Sequence, residues 1–159
     1  MTDLAPYVEP AGRLVLAALL GAVLGVEREW HYRTAGLRTN TLIALGSAIY
    51  TLISIQMVAP GADATRIPST IVNGIGFLGG GAILRTNGSI RGLTTAATIW
   101  VNAAIGMAAG AGHYGLAVSG TITALLVLTV LKWVEFRMDK YRPPPPPDDE
   151  QAALDKTDC

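Results

Sequence analysis

Residues 93–134 read LTTAATIWVNAAIGMAAGAGHYGLAVSGTITALLVLTVLKWV, and Lys132 is the one formally charged side chain among them. Crossing a hydrocarbon core about 30 Å thick takes roughly 20 helical residues. This stretch is long enough to cross twice, and Gly112-His113 is where it breaks. The runs Leu93–Gly112 and Tyr114–Val134 therefore predict two membrane helices joined as a tight hairpin.

Upstream, Thr41–Ala59 repeats the pattern and Ile67–Leu84 nearly does. Leu14–Val26 is short for a crossing. It spans only if Arg13 reaches outward and Glu27–Trp30 continue the helix inward; otherwise it is a soluble core helix or a surface anchor. Four longer runs behind it favour the span. The fold expected is an all-α membrane protein of five short, glycine-rich transmembrane helices over residues 12–136, followed by a tail over 137–159. Thr39 and Asn40 are candidate caps of the second helix, and Pro60-Gly61 its end. Pro68 suits a first helical turn, and Gly92 is a break before Thr94 and Thr95, whose hydroxyls could cap the fourth helix.

Composition agrees with this reading. Half of the residues are apolar, 15% are charged, and mean hydropathy is +0.39, whereas a soluble domain carries about 25% charged residues. The formal net charge is zero, and no basic patch suited to nucleic acid stands out. Cys159 is the single cysteine, so an intrachain disulfide is excluded. Met1–Pro10 holds two acids and no base, so the first apolar run is expected to stay in the mature protein. The tail turns from basic to the polyproline run Pro143–Pro147 and then to acidic residues up to Asp158, which predicts a disordered extension.

Direction follows from the bases. With the N-terminus outside, Arg13 and Arg66 are the only bases on the outer side. Arg28, Arg33, Arg38, Arg85, Arg91, Lys132 and the tail bases all fall inside. That asymmetry satisfies the positive-inside rule and puts the C-terminus in the cytoplasm. Self-comparison pairs Gly25 with Gly81, Gly36 with Gly92 and Thr39 with Thr95, consistent with a parallel internal repeat.

Three features could carry function. The first is a set of small-residue pairs, Gly21/Gly25, Gly76/Gly80 and Gly106/Gly110, with the spacing that lets membrane helices approach closely, within one chain or in a homo-oligomer. Gly74, Gly79 and Gly81 crowd the third span further, so that span either packs backbone to backbone or opens toward a ligand or ion pathway. The second is a charge network at the inner edge, formed by Glu27, Arg28, Glu29, Arg38, Arg85 and Arg91. A passive anchor there would be basic, so the glutamates predict ion pairs, with Arg38 or Arg91 the natural partner of Glu27. The third is a scatter of polar groups in the spans, Asn73, Thr94, Thr95 and Asn102, suited to interhelical hydrogen bonds. No carboxylates or histidines have metal-ligand spacing in a span, and no nucleophile–base set is present, so neither a metal, a cofactor nor an enzyme is expected.

Four strings carry a resemblance. Gly25-Val26-Glu27-Arg28-Glu29, Ala35-Gly36-Leu37-Arg38-Thr39, Gly74-Ile75-Gly76-Phe77-Leu78-Gly79 and Arg91-Gly92-Leu93-Thr94-Thr95-Ala96-Ala97 are similar to the MgtC/SapB family membrane domain over roughly residues 12–135. The resemblance implies a bacterial inner-membrane protein associated with growth in low magnesium and, in pathogens, with survival inside macrophages. It also implies a regulatory role that includes inhibition of the F-type ATP synthase, beside an older reading as a magnesium transporter. Longer members carry a soluble C-terminal domain where this chain has the proline-acidic tail, and Asn73 stands where a small serine-like residue is expected. Two readings stay open: a regulatory protein docking on another membrane complex, and a transporter or channel for magnesium, protons or anions past the third span. Against magnesium stands the lack of any Asp or Glu within a span, since hard cations take oxygen ligands, usually carboxylates.

Overall fold

The computed structural model describes residues 5–57, 63, 66–86 and 89–140. The polyproline and acidic tail and the Pro60-Gly61 terminator fall outside those residues. The described residues fall into two compact units, divided between Leu126 and Val127. The first holds helices α1 (Ala5–Trp30), α2 (Leu37–Met57), α3 (Arg66–Gly81), α4 (Leu93–Gly110) and α5 (Tyr114–Leu126), with strands β1 (Leu84–Thr86) and β2 (Ser89–Arg91) between α3 and α4. The second begins with a π-helical turn, Val127–Leu131, followed by α6 (Lys132–Asp139), on which the Arg137 guanidinium lies 4.7 Å from the centre of the Trp133 ring.

The inside of the first unit is rich in small and polar residues, with a few larger ones such as Leu24, Ile99 and Ile105, and its outside is large and apolar. Ala17, Ala44, Ala48, Ala103, Ala109 and Ala117 are buried, with Asn40, Ser47, Thr51, Thr98 and Asn102 among them. Val15, Leu19 and Val23 on α1, Leu42 on α2 and Leu116 and Ile122 on α5 are exposed. A soluble protein buries its large aliphatic residues. Here they face outward, as they must when the surroundings are hydrocarbon.

Four segments are long and apolar enough to cross a bilayer: Tyr7–Trp30, Leu37–Met57, Leu93–Gly110 and Tyr114–Met138. The first corrects the short Leu14–Val26 run. α1 has 26 residues, with Pro10 inside it, and at 1.5 Å per residue it rises about 39 Å. The third run is corrected the other way. α3 has 16 residues and rises about 24 Å, short of the fourfold set. It ends at Gly81, where three successive glycines have low helix propensity. The chain then turns, with Ala82 and Ile83 donating backbone hydrogen bonds to the Gly79 and Gly80 carbonyls. Leu84, expected inside the span, begins an antiparallel hairpin that pairs Leu84 with Arg91, Arg85 with Ile90 and Thr86 with Ser89.

Close approach of α2 to α1 and α4 centres on glycine. A Cβ on Gly21 would lie 2.7 Å from the Ala44 Cβ, and one on Gly25 would lie 2.7 Å from the Leu37 Cα. On α4, a Cβ on Gly106 would meet the Ala44 carbonyl oxygen at 2.2 Å, and one on Gly110 the Ala48 oxygen at 2.7 Å. At the α4–α5 turn Gly112 has a φ of 83°, and His113 donates its backbone N–H to the Ala108 carbonyl. Arg13 closes this end: its Nη1 donates to the Gly110 carbonyl at 3.0 Å, placing a cation at the negative end of the α4 dipole.

Candidate functional site

At the opposite end of α1 the charges sort into separate roles. Glu29 turns to the start of α2, where its Oε2 accepts the Leu37 backbone N–H at 3.0 Å. A carboxylate there satisfies an orphan donor and sits at the positive end of the helix dipole. Gly36 is what lets it in, because a Cβ at that position would lie 1.7 Å from the Glu29 Oε2. The connection between is tightly wound: Tyr32 donates to the Glu29 carbonyl, Arg33 donates to the Arg28 carbonyl, and Tyr32 takes a φ of 52°.

Glu27 and Arg28 face inward. The Arg28 side chain is 4% exposed, and its Nη1 lies 3.4 Å from the Glu27 Oε2. Among the described residues its Nε and Nη2 have no hydrogen-bond partner. The other Glu27 oxygen lies 2.8 Å from His31 Nδ1, one helical turn on. Among the described residues these are the ion pairs of Glu27, so in place of the partners expected for it, Arg38 and Arg91, it meets Arg28 beside it on α1 and His31 just past the end of that helix. Arg38 is exposed in the first turn of α2, and Arg85 and Arg91 are exposed on the hairpin.

Above this layer lies a polar pair with no solvent exposure. Asn102 Nδ2 donates to the Asn40 carbonyl at 2.6 Å and to Asn40 Oδ1 at 3.1 Å. Asn40 Nδ2 in turn donates to the carbonyls of Ala35 and Gly36 at 2.7 and 2.9 Å. Asn40 thus ties the α1–α2 connection to α4, and among the described residues Asn102 Oδ1 has no partner. Reading Asn40 as a cap missed this. The available signal was its place, at helical spacing, on the same face as Ala44, Ser47, Ala48 and Thr51. Neither Thr94 nor Thr95 caps α4: the N-cap is Gly92, with a φ of 91° and no side-chain capping bond. A Cβ on Gly92 would lie 2.0 Å from the Ala82 oxygen, so the hairpin closes on it. Thr95 is buried, while Thr94 is exposed and offers its carbonyl to the Thr98 hydroxyl.

The third helix departs most from expectation. Gly79 makes ordinary contact with Ala96, but a Cβ on Gly74, Gly76 or Gly80 would find nothing within 4 Å. The close intrachain packing expected of Gly76/Gly80 is not made, because α3 buries only Ile75 and Gly79 and turns those glycines away. Along the helix, Ser69, Asn73, Gly76 and Gly80 form one outward stripe, and all four are exposed. Gly74, Leu78 and Gly81 face a cleft of about 890 Å³ between α2 and α3, whose α2 wall includes Arg38, Leu42, Gly46, Ser47 and Tyr50. The Ser47 hydroxyl is buried, with no partner among the described residues. Among the described residues no three His, Cys, Asp or Glu side chains gather as a metal site.

Known proteins are similar to this sequence. The profile of the MgtC family matches residues 14–137. An uncharacterized protein, slr0014, of Synechocystis is 46% identical over 120 residues, covering 76% of this chain and 51% of its own. The putative magnesium transporter YhiD of Escherichia coli is 44% identical over 133 residues, covering 79% of this chain and 62% of that protein. Protein MgtC of Salmonella typhimurium is 42% identical over 135 residues, covering 85% and 56%. The chain thus spans between about half and three-fifths of the length of these curated relatives. No solved structure matches it. Since the matched residues 14–137 run from within α1 through α5 and take in the whole arginine-rich end, this multi-pass membrane protein belongs to the MgtC family.

Proposed function

We propose that the protein is a regulatory component of a bacterial inner membrane, serving adaptation to low magnesium by docking on another membrane complex. The family membership and the relatives named protein MgtC and putative magnesium transporter YhiD support the link to magnesium. The observation that carries docking is the outward stripe of α3. Ser69, Asn73, Gly76 and Gly80 present small residues and one amide to the lipid side of a helix that is half uncovered. Glycine allows a second helix to approach closely, and an amide in hydrocarbon gains most from a partner that hydrogen-bonds it. The partner is a helix of another membrane protein, an ATP synthase or other membrane ATPase by family resemblance, or a second copy of this chain.

The alternative is ion passage along the α2–α3 cleft. Its walls offer alkyl groups, hydroxyls and the Arg38 guanidinium, a lining that repels a divalent cation instead of replacing its water with carboxylate oxygens. Photo-crosslinking separates the two. A photoreactive residue at position 73, in cells grown in low magnesium, should capture a membrane protein or a second copy, and Gly76→Leu should abolish the adduct at unchanged abundance. Crosslinks to lipid alone, together with magnesium flux in proteoliposomes, would overturn docking in favour of transport.

A further inference from the structure

The α2–α3 cleft points to an occupant of its own. We propose that it holds an acyl chain of an anionic phospholipid, with the lipid phosphate on Arg38.

The cleft exists because two glycines leave it empty. Gly46 on one wall and Gly74 on the other both line it, and a Cβ on either would meet nothing within 4 Å. In a bilayer a lipid-facing space of about 890 Å³ between two helices fills with hydrocarbon. Its depth suits one leaflet. Arg38 and Tyr50 mark its extent along α2, and the helix between them rises about 18 Å. Half of a hydrocarbon core about 30 Å thick is about 15 Å. A single chain hanging from the headgroup layer therefore runs the length of the cleft.

Charge selects the headgroup. Arg38 stands at the mouth, exposed, and among the described residues no carboxylate pairs with it. Thr34 and Thr39, close to Arg38 in the chain, line the same cleft and bring hydroxyl donors. A guanidinium binds phosphate through paired, charge-assisted hydrogen bonds. A zwitterionic headgroup offers the same phosphate with its own cation attached, so Arg38 favours lipids of net negative charge. This inference stands apart from the docking proposal, which uses the other face of α3.

The test is lipid retention by the full chain, purified in mild detergent and read by native mass spectrometry with phosphatidylglycerol or phosphatidylcholine added. Wild type should retain one phosphatidylglycerol per copy and prefer it about fivefold over phosphatidylcholine, the scale of one basic residue at a membrane surface. Arg38→Gln should abolish the preference. Gly46→Leu and Gly74→Leu each add a side chain at a cleft-lining position where a Cβ meets nothing within 4 Å, and should expel the retained lipid whatever its headgroup. Gly115→Leu, which also enters open space but elsewhere, should not. Circular dichroism confirms helix content in each variant, and the two cleft glycines provide independent tests. Retention unchanged in both cleft variants would place the chain elsewhere, and a preference surviving Arg38→Gln would place the headgroup elsewhere. A dimer mass lost with Gly74→Leu, without any lipid change, would make the occupant a helix of a second copy. Each of these three results overturns the proposal.

Discussion

Arg28 is held almost wholly out of solvent with Glu27 as its counter-charge, while its Nε and Nη2 have no partner among the described residues. Such a pair need not add net stability, because desolvating two charges offsets their attraction. Removing one member is another matter, since it strands the other. Glu27→Gln should therefore destabilise the protein by about 3 kcal/mol, the lower end for breaking a buried pair, given the 3.4 Å separation. In an Arg28→Met background the same change should cost much less, and the difference is the coupling between the two. Denaturant unfolding in detergent micelles measures all four proteins. An equal loss in both backgrounds would mean that Glu27 acts through His31, its other neighbour at 2.8 Å. Two positions on, Glu29 serves the backbone instead, so the two glutamates of one cluster are not interchangeable.

Among the elements, α2 is the post on which α1 and α4 lean, and glycine decides how closely they do so. Gly106→Ala brings a methyl against the Ala44 carbonyl, where ideal geometry leaves 2.2 Å. Helix backbones give way poorly, so the change should cost about 1–3 kcal/mol, the usual overpacking penalty, and lower the melting temperature in detergent. Gly76→Leu, far larger in volume, should leave that temperature unchanged because it enters open space. A Gly106→Ala protein as stable as wild type would show that α2 and α4 separate freely. The two glycine pairs look alike in sequence, since spacing records which residues share a face and not which neighbour that face meets. Helix identity was legible in hydropathy and in the bases, and Asn102 was legible as an interhelical donor. The extent of α1 was not, because Pro10, Gly12 and Arg13 interrupt its apolar run although the helix passes through them. The hairpin left a trace in the sequence, where the dipeptide Asn87-Gly88 is one that two-residue hairpin loops favour. Asn40 was hidden because its partners lie across the fold, in the α1–α2 connection and on α4.

For the first unit as a whole, the open issue is whether α3 crosses. Its 16 residues rise about 24 Å, less than the hydrocarbon core. Its ends argue that it crosses all the same. Gly81 and Ala82, at its close, line the same cleft as Thr34 and Arg38, and Ala82 packs against the cluster that holds Ala35, just before the opening of α2. α3 therefore brings the chain back to the end that α2 left. Gly92 then closes on Ala82, so α4 starts from that end too, and α4 finishes at the other, where Arg13 meets the Gly110 carbonyl. This arrangement gathers Arg28, Arg33, Arg38, Arg85 and Arg91 at one end and leaves Arg13 at the other. The positive-inside rule then assigns the arginine-rich end to the cytoplasm. If α3 failed to cross, the hairpin arginines would lie opposite Arg33 and Arg38, and neither orientation would collect all five on one side. We therefore expect single cysteines at Asp63 and His113, in a Cys159→Ser background, to react with an impermeant maleimide in intact cells. Cysteines at Thr34 and Ser89 should react only after the membrane is opened. Labelling at Ser89 from outside with Thr34 protected would show that α3 dips into the bilayer and returns. Labelling at Thr34 and Ser89 together would invert the molecule and leave its bases on the wrong side.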